Sequence, residues 1–344
     1  MNDNSPLRIL ATRGDQVESA HQVSVAVTDR GGKLVAESHD PRLTTFWRSA
    51  AKPFQALPLV EDGGVARFGL GTEELALACA SHSSEPMHLE VTDRFLAKIG
   101  CTEADLACGP HPPLGARVAE RVVRDGVQLT SRWSNCSGKH SGMLALAKLH
   151  RWETKGYETK EHPVQQRIVE EITRWTSVGM PTTHDPRPTA PLHFGIDGCA
   201  AVCFGLPLRG MARAYAALGD GASPGLATLR DAMLARPDLV AGTGRSCTEV
   251  MQAAPGKVIV KLGADGVYCG ALVGTGFGFA LKVEDGDMRA LPVALLAVLD
   301  QLAAHLGWNE RWSELVPQHG GFEIRNTRKT VTGRFYADGQ LSFA

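Results

Sequence analysis

Ser134-Asn135-Cys136-Ser137-Gly138-Lys139-His140-Ser141 brings a thiol, three hydroxyls, an amide, an ammonium and an imidazole into eight residues. The run that follows, Gly142-Met143-Leu144-Ala145-Leu146-Ala147-Lys148-Leu149, has helical composition. The pattern predicts a polar loop feeding a helix over Met143–Leu149. Helix N-termini present free N–H groups and a positive end, which suit a thiolate or an anionic ligand. A serine or asparagine would be enough to cap a helix; a cysteine, a lysine and a histidine beside it point to a site.

Working outward, the chain before this stretch starts as β and turns to helix. Leu7-Arg8-Ile9-Leu10 opens a strand, Gln22–Val27 alternates, Asp29-Arg30-Gly31-Gly32 turns, and Lys33–Ala36 returns. Arg13-Gly14-Asp15 reads as a turn. Thr44–Trp47 is extended and leads into Arg48-Ser49-Ala50-Ala51-Lys52-Pro53-Phe54-Gln55. Pro53 fits the first turn of a helix, where a missing N–H costs least. Ser49 and Lys52 are three residues apart and share a face. Burial and the positive helix end both favour a neutral lysine amine, which can deprotonate the serine. A capping serine with a solvated lysine is the plain alternative; Arg48, Trp47 and the strand-to-helix context favour the chemical one. Helices are expected over Thr72–Ala80, Pro86–Ile99 and Gly115–Arg124, which leaves Ser81-His82-Ser83-Ser84 on a loop.

Beyond the Cys136 stretch, Pro163–Trp175 reads as helix. Met180–Pro191, with four prolines, reads as a linker or long loop. Gly195-Ile196-Asp197-Gly198-Cys199 is a tight turn carrying an acid and a thiol. Gly210–Leu218 and Gly225–Leu234 are helical. Gly242-Thr243-Gly244-Arg245-Ser246-Cys247 lacks the lysine of a phosphate loop and reads as an ordinary loop. Lys257–Leu262 and Val267–Cys269 form a hairpin, in which Lys261 would ordinarily face outward. Phe277–Val283 is a strand, Met288–Leu306 a helix, and Gly333–Phe343 a last hairpin.

The chain has 344 residues, 43% of them hydrophobic and 21% charged, with formal net charge −1. That profile is globular, and it makes nucleic acid or an anionic membrane an unexpected partner. Met1–Pro6 has neither a basic end nor an apolar segment, so no export signal and a cytoplasmic location are expected. The eight cysteines show no framework spacing and are expected to be reduced.

Arg13-Gly14 with Val17-Glu18-Ser19-Ala20-His21, Arg48-Ser49-Ala50-Ala51-Lys52-Pro53-Phe54-Gln55, Ser134–His140, Gly195–Cys199 and Lys261-Leu262-Gly263-Ala264-Asp265-Gly266 occur in an order that resembles the L-asparaginase II family, the rhizobial-type (class 3) asparaginases. The likeness runs from about residue 8 to the C-terminus. One departure is Ser38-His39-Asp40-Pro41, where Gly-Asp-Pro would be expected. The resemblance implies one α/β (α+β) domain over residues 1–344, with an antiparallel sheet packed against helices, similar to serine β-lactamases and glutaminases. It implies homodimers that hydrolyse asparagine to aspartate and ammonia. It places serine–lysine pairs on Ser49 with Lys52 and Ser81 with Lys261. It also places zinc on Cys136, Lys139 and Cys199, with Asp197 beside the site and Cys247 near the reaction centre. The zinc is expected to help position the amino-acid head group, not to supply hydroxide.

The expected chemistry is attack by Ser49 on the side-chain amide, with Lys52 taking its proton and Ser81 and Lys261 relaying it to ammonia. Arg48 is a candidate for the substrate α-carboxylate, and His140 is placed with the substrate-binding residues. The alternatives are a glutaminase or β-lactamase-like hydrolase, a cysteine amidase using Cys136 and His140, and a non-catalytic zinc or amino-acid binding protein.

Overall fold

The apolar alternation near the N-terminus builds the centre of a sheet. In the computed structural model, which describes residues 5–177 and 191–344, β1 (Arg8–Arg13) and β2 (Gln16–Thr28) form a hairpin around Gly14-Asp15. Gly14 has φ +56°, a left-handed conformation open to a residue without Cβ. The Arg13-Gly14-Asp15 triplet is therefore a turn. The proline-rich run from Met180 to Ala190 lies outside the described residues.

The other strands are β3 (Leu34–Ser38), β4 (Thr44–Phe46), β5 (His193–Ile196), β6 (Val202–Pro207), β7 (Val258–Gly263), β8 (Val267–Leu272), β9 (Phe277–Val283), β10 (Phe322–Arg325), β11 (Val331–Asp338) and β12 (Ser342–Phe343). The main sheet is antiparallel and runs β10-β11-β1-β2-β9-β8-β7, with β3 on β2 and β12 on β3. β2 spans both halves: Gln16–Gln22 pairs with β1 and Val23–Thr28 with β9. The expected hairpin over Gly333–Phe343 does not form. β11 pairs with β10 and β1, and β12 crosses to β3. A second sheet, β4-β6-β5, lies apart from the first.

Six helices matter here: α1 (Lys52–Glu61), α2 (Thr72–Ala78), α3 (Ser137–His150), α4 (Leu208–Asp220), α5 (Ser246–Ala253) and α6 (Ala290–His305). α4 lies on β8, β9 and β2. Gly278 permits the close approach, since a Cβ there would sit 2.2 Å from the Ala212 carbonyl oxygen. α6 packs on β9, β1 and β11 and is apolar on most of its surface, as a helix enclosed by protein should be. Its Leu295 and Leu299 are fully buried, each contributing about 1.5–3 kcal/mol relative to exposure. α1, α2 and α3 pack on one another beyond the β7 edge of the sheet. The face between that edge and these helices holds the polar cluster.

α3 starts at Ser137, six residues before the expected start, so Lys139 and His140 are helical rather than on a loop. The cause is packing. Gly138 crosses α2 so closely that a Cβ would lie 2.2 Å from the Leu77 carbonyl oxygen, and this contact fixes the first turn despite its polar sequence. His39 takes the place where glycine was expected. It has φ +50°, and its Nε2 meets the Leu7 carbonyl at 3.0 Å, a side-chain contact that offsets the cost of the left-handed backbone.

Candidate active site

Ser81 follows α2 on a buried loop, and two lysines converge on it. Lys52 Nζ, from the first residue of α1, lies 3.0 Å from Ser81 Oγ, 2.5 Å from the Ala80 carbonyl and 3.5 Å from that of Asn135. Lys261 Nζ, from β7, lies 2.8 Å from the same Oγ and 2.9 Å from the Leu262 carbonyl. All three residues are buried. The outward-facing expectation for Lys261 fails because β7 is covered on both faces, so strand parity no longer separates core from solvent. Burial pushes the Lys261 pKa down to about 7, with the charges of Lys52 and Arg245 adding to it and Cys247 opposing.

Ser49 sits in a 3₁₀ turn, Arg48–Ala51, and is half-buried. Its Oγ has no hydrogen-bond partner among the described residues; Lys52 spends its bonds on Ser81 and two carbonyls. The turn is held firmly. Trp47 N–H donates to the Phe204 carbonyl at 2.7 Å, and Trp47 stacks on Phe54 at 5.0 Å between ring centres. Tyr215 O–H donates to the Ala50 carbonyl at 2.7 Å. Arg48 has φ +54°, a strained setting for a residue with a side chain. Its guanidinium is 3.0 Å from Asp197 Oδ1 and is also bonded to Asp265. Burial opposes its charge, but those two carboxylates outweigh it and hold the charge firmly. Arg48 thus joins the turn bearing Ser49 to the turn after β5 and to the β7–β8 turn.

The second cluster adjoins the first through Asn135. Cys136 stands at the N-cap position of α3; its thiol donates to Asn135 Oδ1 at 3.2 Å and lies beside Cys199. Lys139 Nζ donates to Cys199 Sγ at 2.9 Å. The neighbouring Cys136 thiol, the Lys139 ammonium and His140 push Cys199 far down, against burial. Cys199 and burial push Cys136 well up. Lys139 is driven up despite its burial, by Cys199, Cys136 and Asp197. A raised thiol pKa is the wrong direction for an attacking cysteine, and His140 Nδ1 is engaged by Tyr157 O–H at 2.6 Å. Cys136 and His140 therefore do not form a nucleophile–base pair.

Among the described residues, no three His, Cys, Asp or Glu side chains form a metal-holding group. Cys136, Lys139 and Cys199 nevertheless fit zinc as donors. Two thiols and an amine converge in one buried place, and the buried His140 Nε2 beside Cys199 has no hydrogen-bond partner. Cys247 Sγ accepts from Leu262 N–H at 3.2 Å and lies 2.9 Å from Tyr268 O–H, one residue from Lys261. All eight cysteines are free and buried.

Asn135 stood in the Ser134–Ser141 stretch without a role of its own, and three further contributors were not singled out by the sequence. Asn135 offers its carbonyl to Lys52 and to His82 N–H at 3.3 Å. His82 Nε2 bonds Ser137 Oγ at 2.8 Å and is held neutral, first by burial and then by neighbouring cations and His88. Tyr157 O–H bonds His140 Nδ1 at 2.6 Å and takes the Ala107 N–H at 2.9 Å. Arg245 donates to Ser83 Oγ at 3.2 Å. Only the glycines around Arg245 could have drawn attention to it.

No helix among the described residues is long and apolar enough to cross a membrane. Among solved structures, the chain is similar to Mglu in its native form (14% identity, 83% of this chain and 64% of that one, TM-score 0.42). EstCE1, a hydrolase with promiscuous acyltransferase activity, is 12% identical over 84% of this chain and 92% of that one, with TM-score 0.36. A candidate β-lactamase from Bacteroides dorei DSM 17855 is 13% identical over 87% and 95%, with TM-score 0.38. The chain spans less than two thirds of the length of Mglu. No curated protein matches it. The family model for L-asparaginase II matches residues 9–337, and the chain belongs to the L-asparaginase II family.

Proposed function

We propose that this member of an amide-hydrolase family converts L-asparagine to aspartate and ammonia by serine–lysine catalysis. The observation that carries the proposal is Ser81 Oγ held at 3.0 and 2.8 Å by two buried lysines, one of them three residues from Ser49. A nucleophile must be open to substrate, and Ser49, half-buried with an unengaged Oγ, meets that need. Ser81, enclosed by amines, suits proton transfer.

Ser49 Oγ attacks the side-chain amide carbon and forms a C–O bond. Its proton passes to Lys52. The tetrahedral intermediate expels the amide nitrogen as its C–N bond breaks, and the proton on Lys52 passes through Ser81 to the departing nitrogen to release ammonia, while Lys261, neutral, holds the Ser81 hydroxyl. The first N–H groups of the 3₁₀ turn, at Arg48 and Ser49, have no carbonyl partner within the turn and are the donors offered to the oxyanion. Water then hydrolyses the acyl-enzyme by the reverse proton path. Cys136, Lys139 and Cys199 would hold zinc, which when bound supplies a fixed positive charge for orienting the amino-acid head group. A cytoplasmic homodimer completes the proposal.

Ammonia release from L-asparagine and L-glutamine tests it, with Ser49→Ala and Ser81→Ala alongside. Asparagine preference abolished by Ser49→Ala is expected. A wild type that turns over neither amide overturns it. Ser81 is the alternative nucleophile, since it is the serine both amines touch. Mass spectrometry of enzyme trapped with a diazoketone analogue of asparagine decides between the two, by which serine carries the label.

A further inference from the structure

An amino-acid substrate brings a carboxylate into a site, and the cations there differ in their freedom to meet it. Arg48 is neutralised by Asp197 and Asp265. Lys52 and Lys261 are bound to Ser81 and to carbonyls. Arg245, just before α5, is half-buried and has a single acceptor, Ser83 Oγ at 3.2 Å. Among the described residues no carboxylate pairs with it.

The loop carrying Arg245 is fixed against the segment that carries Ser81. Gly242 has φ +129° and lies so close to Ser83 that a Cβ would be 2.6 Å from its Oγ. Thr243 N–H and Oγ1 bond the two Glu85 oxygens at 2.8 and 2.9 Å, which occupies the one acid of that segment. Arg245 is thereby held on Ser83, two positions along the chain from Ser81, and its charge is felt by both Lys261 and His82. A half-buried guanidinium without an acid is costly until an anion joins it, and its planar fork matches a carboxylate in two-point contact.

We propose that Arg245 is the carboxylate clamp of this site, binding the substrate α-carboxylate and making the enzyme selective for amides of α-amino acids. The proposal rests on the amidohydrolase function put forward above.

The test compares kcat/KM for L-asparagine with that for 3-aminopropanamide, which keeps the amide and the amine and lacks the carboxylate. In Arg245→Met the ratio of the two should fall roughly 10- to 150-fold, the range for losing a charged hydrogen-bonded contact, chiefly through KM. Arg245→Lys should recover part of it, which also separates a binding loss from a folding defect. An unchanged ratio, with both substrates losing equally, overturns the clamp and leaves Arg245 a structural support for Ser83. A wild type that cleaves neither amide would defeat the asparaginase function instead. Calorimetry with L-aspartate then decides the clamp: affinity lost in Arg245→Met sustains it, and equal affinity in both proteins overturns it.

Discussion

Lys261 Nζ meets Ser81 Oγ at 2.8 Å across 180 residues of sequence. Because Lys52 meets the same oxygen at 3.0 Å, two ammonium groups there would repel, and the site works best with one of them neutral. Burial brings Lys261 to about 7. The acid limb of kcat/KM should therefore rise with an apparent pKa near 7. Lys261→Met should lower kcat about 10²–10⁴-fold. An acid limb that persists unshifted in a residually active Lys261→Met enzyme would assign that titration elsewhere.

The same group links stability to pH. Its pKa is about 7 folded, against an ordinary value of 10.5. Between those values the unfolded chain holds the extra proton, so stability rises as pH rises through the window, and the full penalty is present below pH 7. Urea unfolding at pH 7, 8 and 9 should show this slope in wild type and a flatter one in Lys261→Met. Equal slopes would mean Lys261 is not the group responsible.

Arg48 combines a positive φ with two acid partners. Replacing it with alanine or glycine removes both ion pairs alike, but only alanine retains a Cβ in the left-handed region. Arg48→Gly should be more stable than Arg48→Ala by about 1 kcal/mol, by denaturant unfolding. Alanine as the better substitute would show that the backbone strain does not matter.

Much of the fold was legible because its signals are local. The alternation of Gln22–Val27 and Lys257–Leu262, the turn at Gly14, and Pro53 in a first turn are each fixed by a few adjacent residues. The Cys136 cluster was legible because unusual residue types crowd into one short stretch. What was not legible depends on the remote partner. Gln16–His21 forms half of β2 although most of it is exposed and without apolar alternation; it is held by β1. α3 begins early because Gly138 meets Leu77. Lys261 faces inward because helices cover the outer side of an edge strand. Arg245 stands out only through the lack of an acid beside it among the described residues, which no local sequence signal encodes.

Gly138 sets the position of the thiol cluster through that contact. Gly138→Ala would place a Cβ 2.2 Å from the Leu77 carbonyl oxygen, and backbone cannot yield as a side-chain tip does. A loss of about 1–3 kcal/mol is expected, whereas Gly142→Ala, whose Cβ would meet nothing closer than 3.6 Å, should be near neutral. Thermal or denaturant unfolding of the two variants checks this; a similar cost for both would rule out the helix crossing as the cause.

Zinc proposed for Cys136, Lys139 and Cys199 would have to compete with protons, because Lys139 is held charged by the thiolate beside it. A lysine amine binds metal only after losing its proton, and the Cys136 thiol, pushed up by Cys199 and burial, must lose one too. Zinc binding should therefore release more than one proton per ion, and affinity should weaken at least about tenfold for each unit that pH falls. Calorimetry in buffers of different ionisation enthalpy measures the protons directly. Lys139→Met should reduce the number released while leaving the thiol contribution. A proton count that does not change in Lys139→Met would place the amine outside the coordination sphere, as a counter-charge to a two-thiolate site.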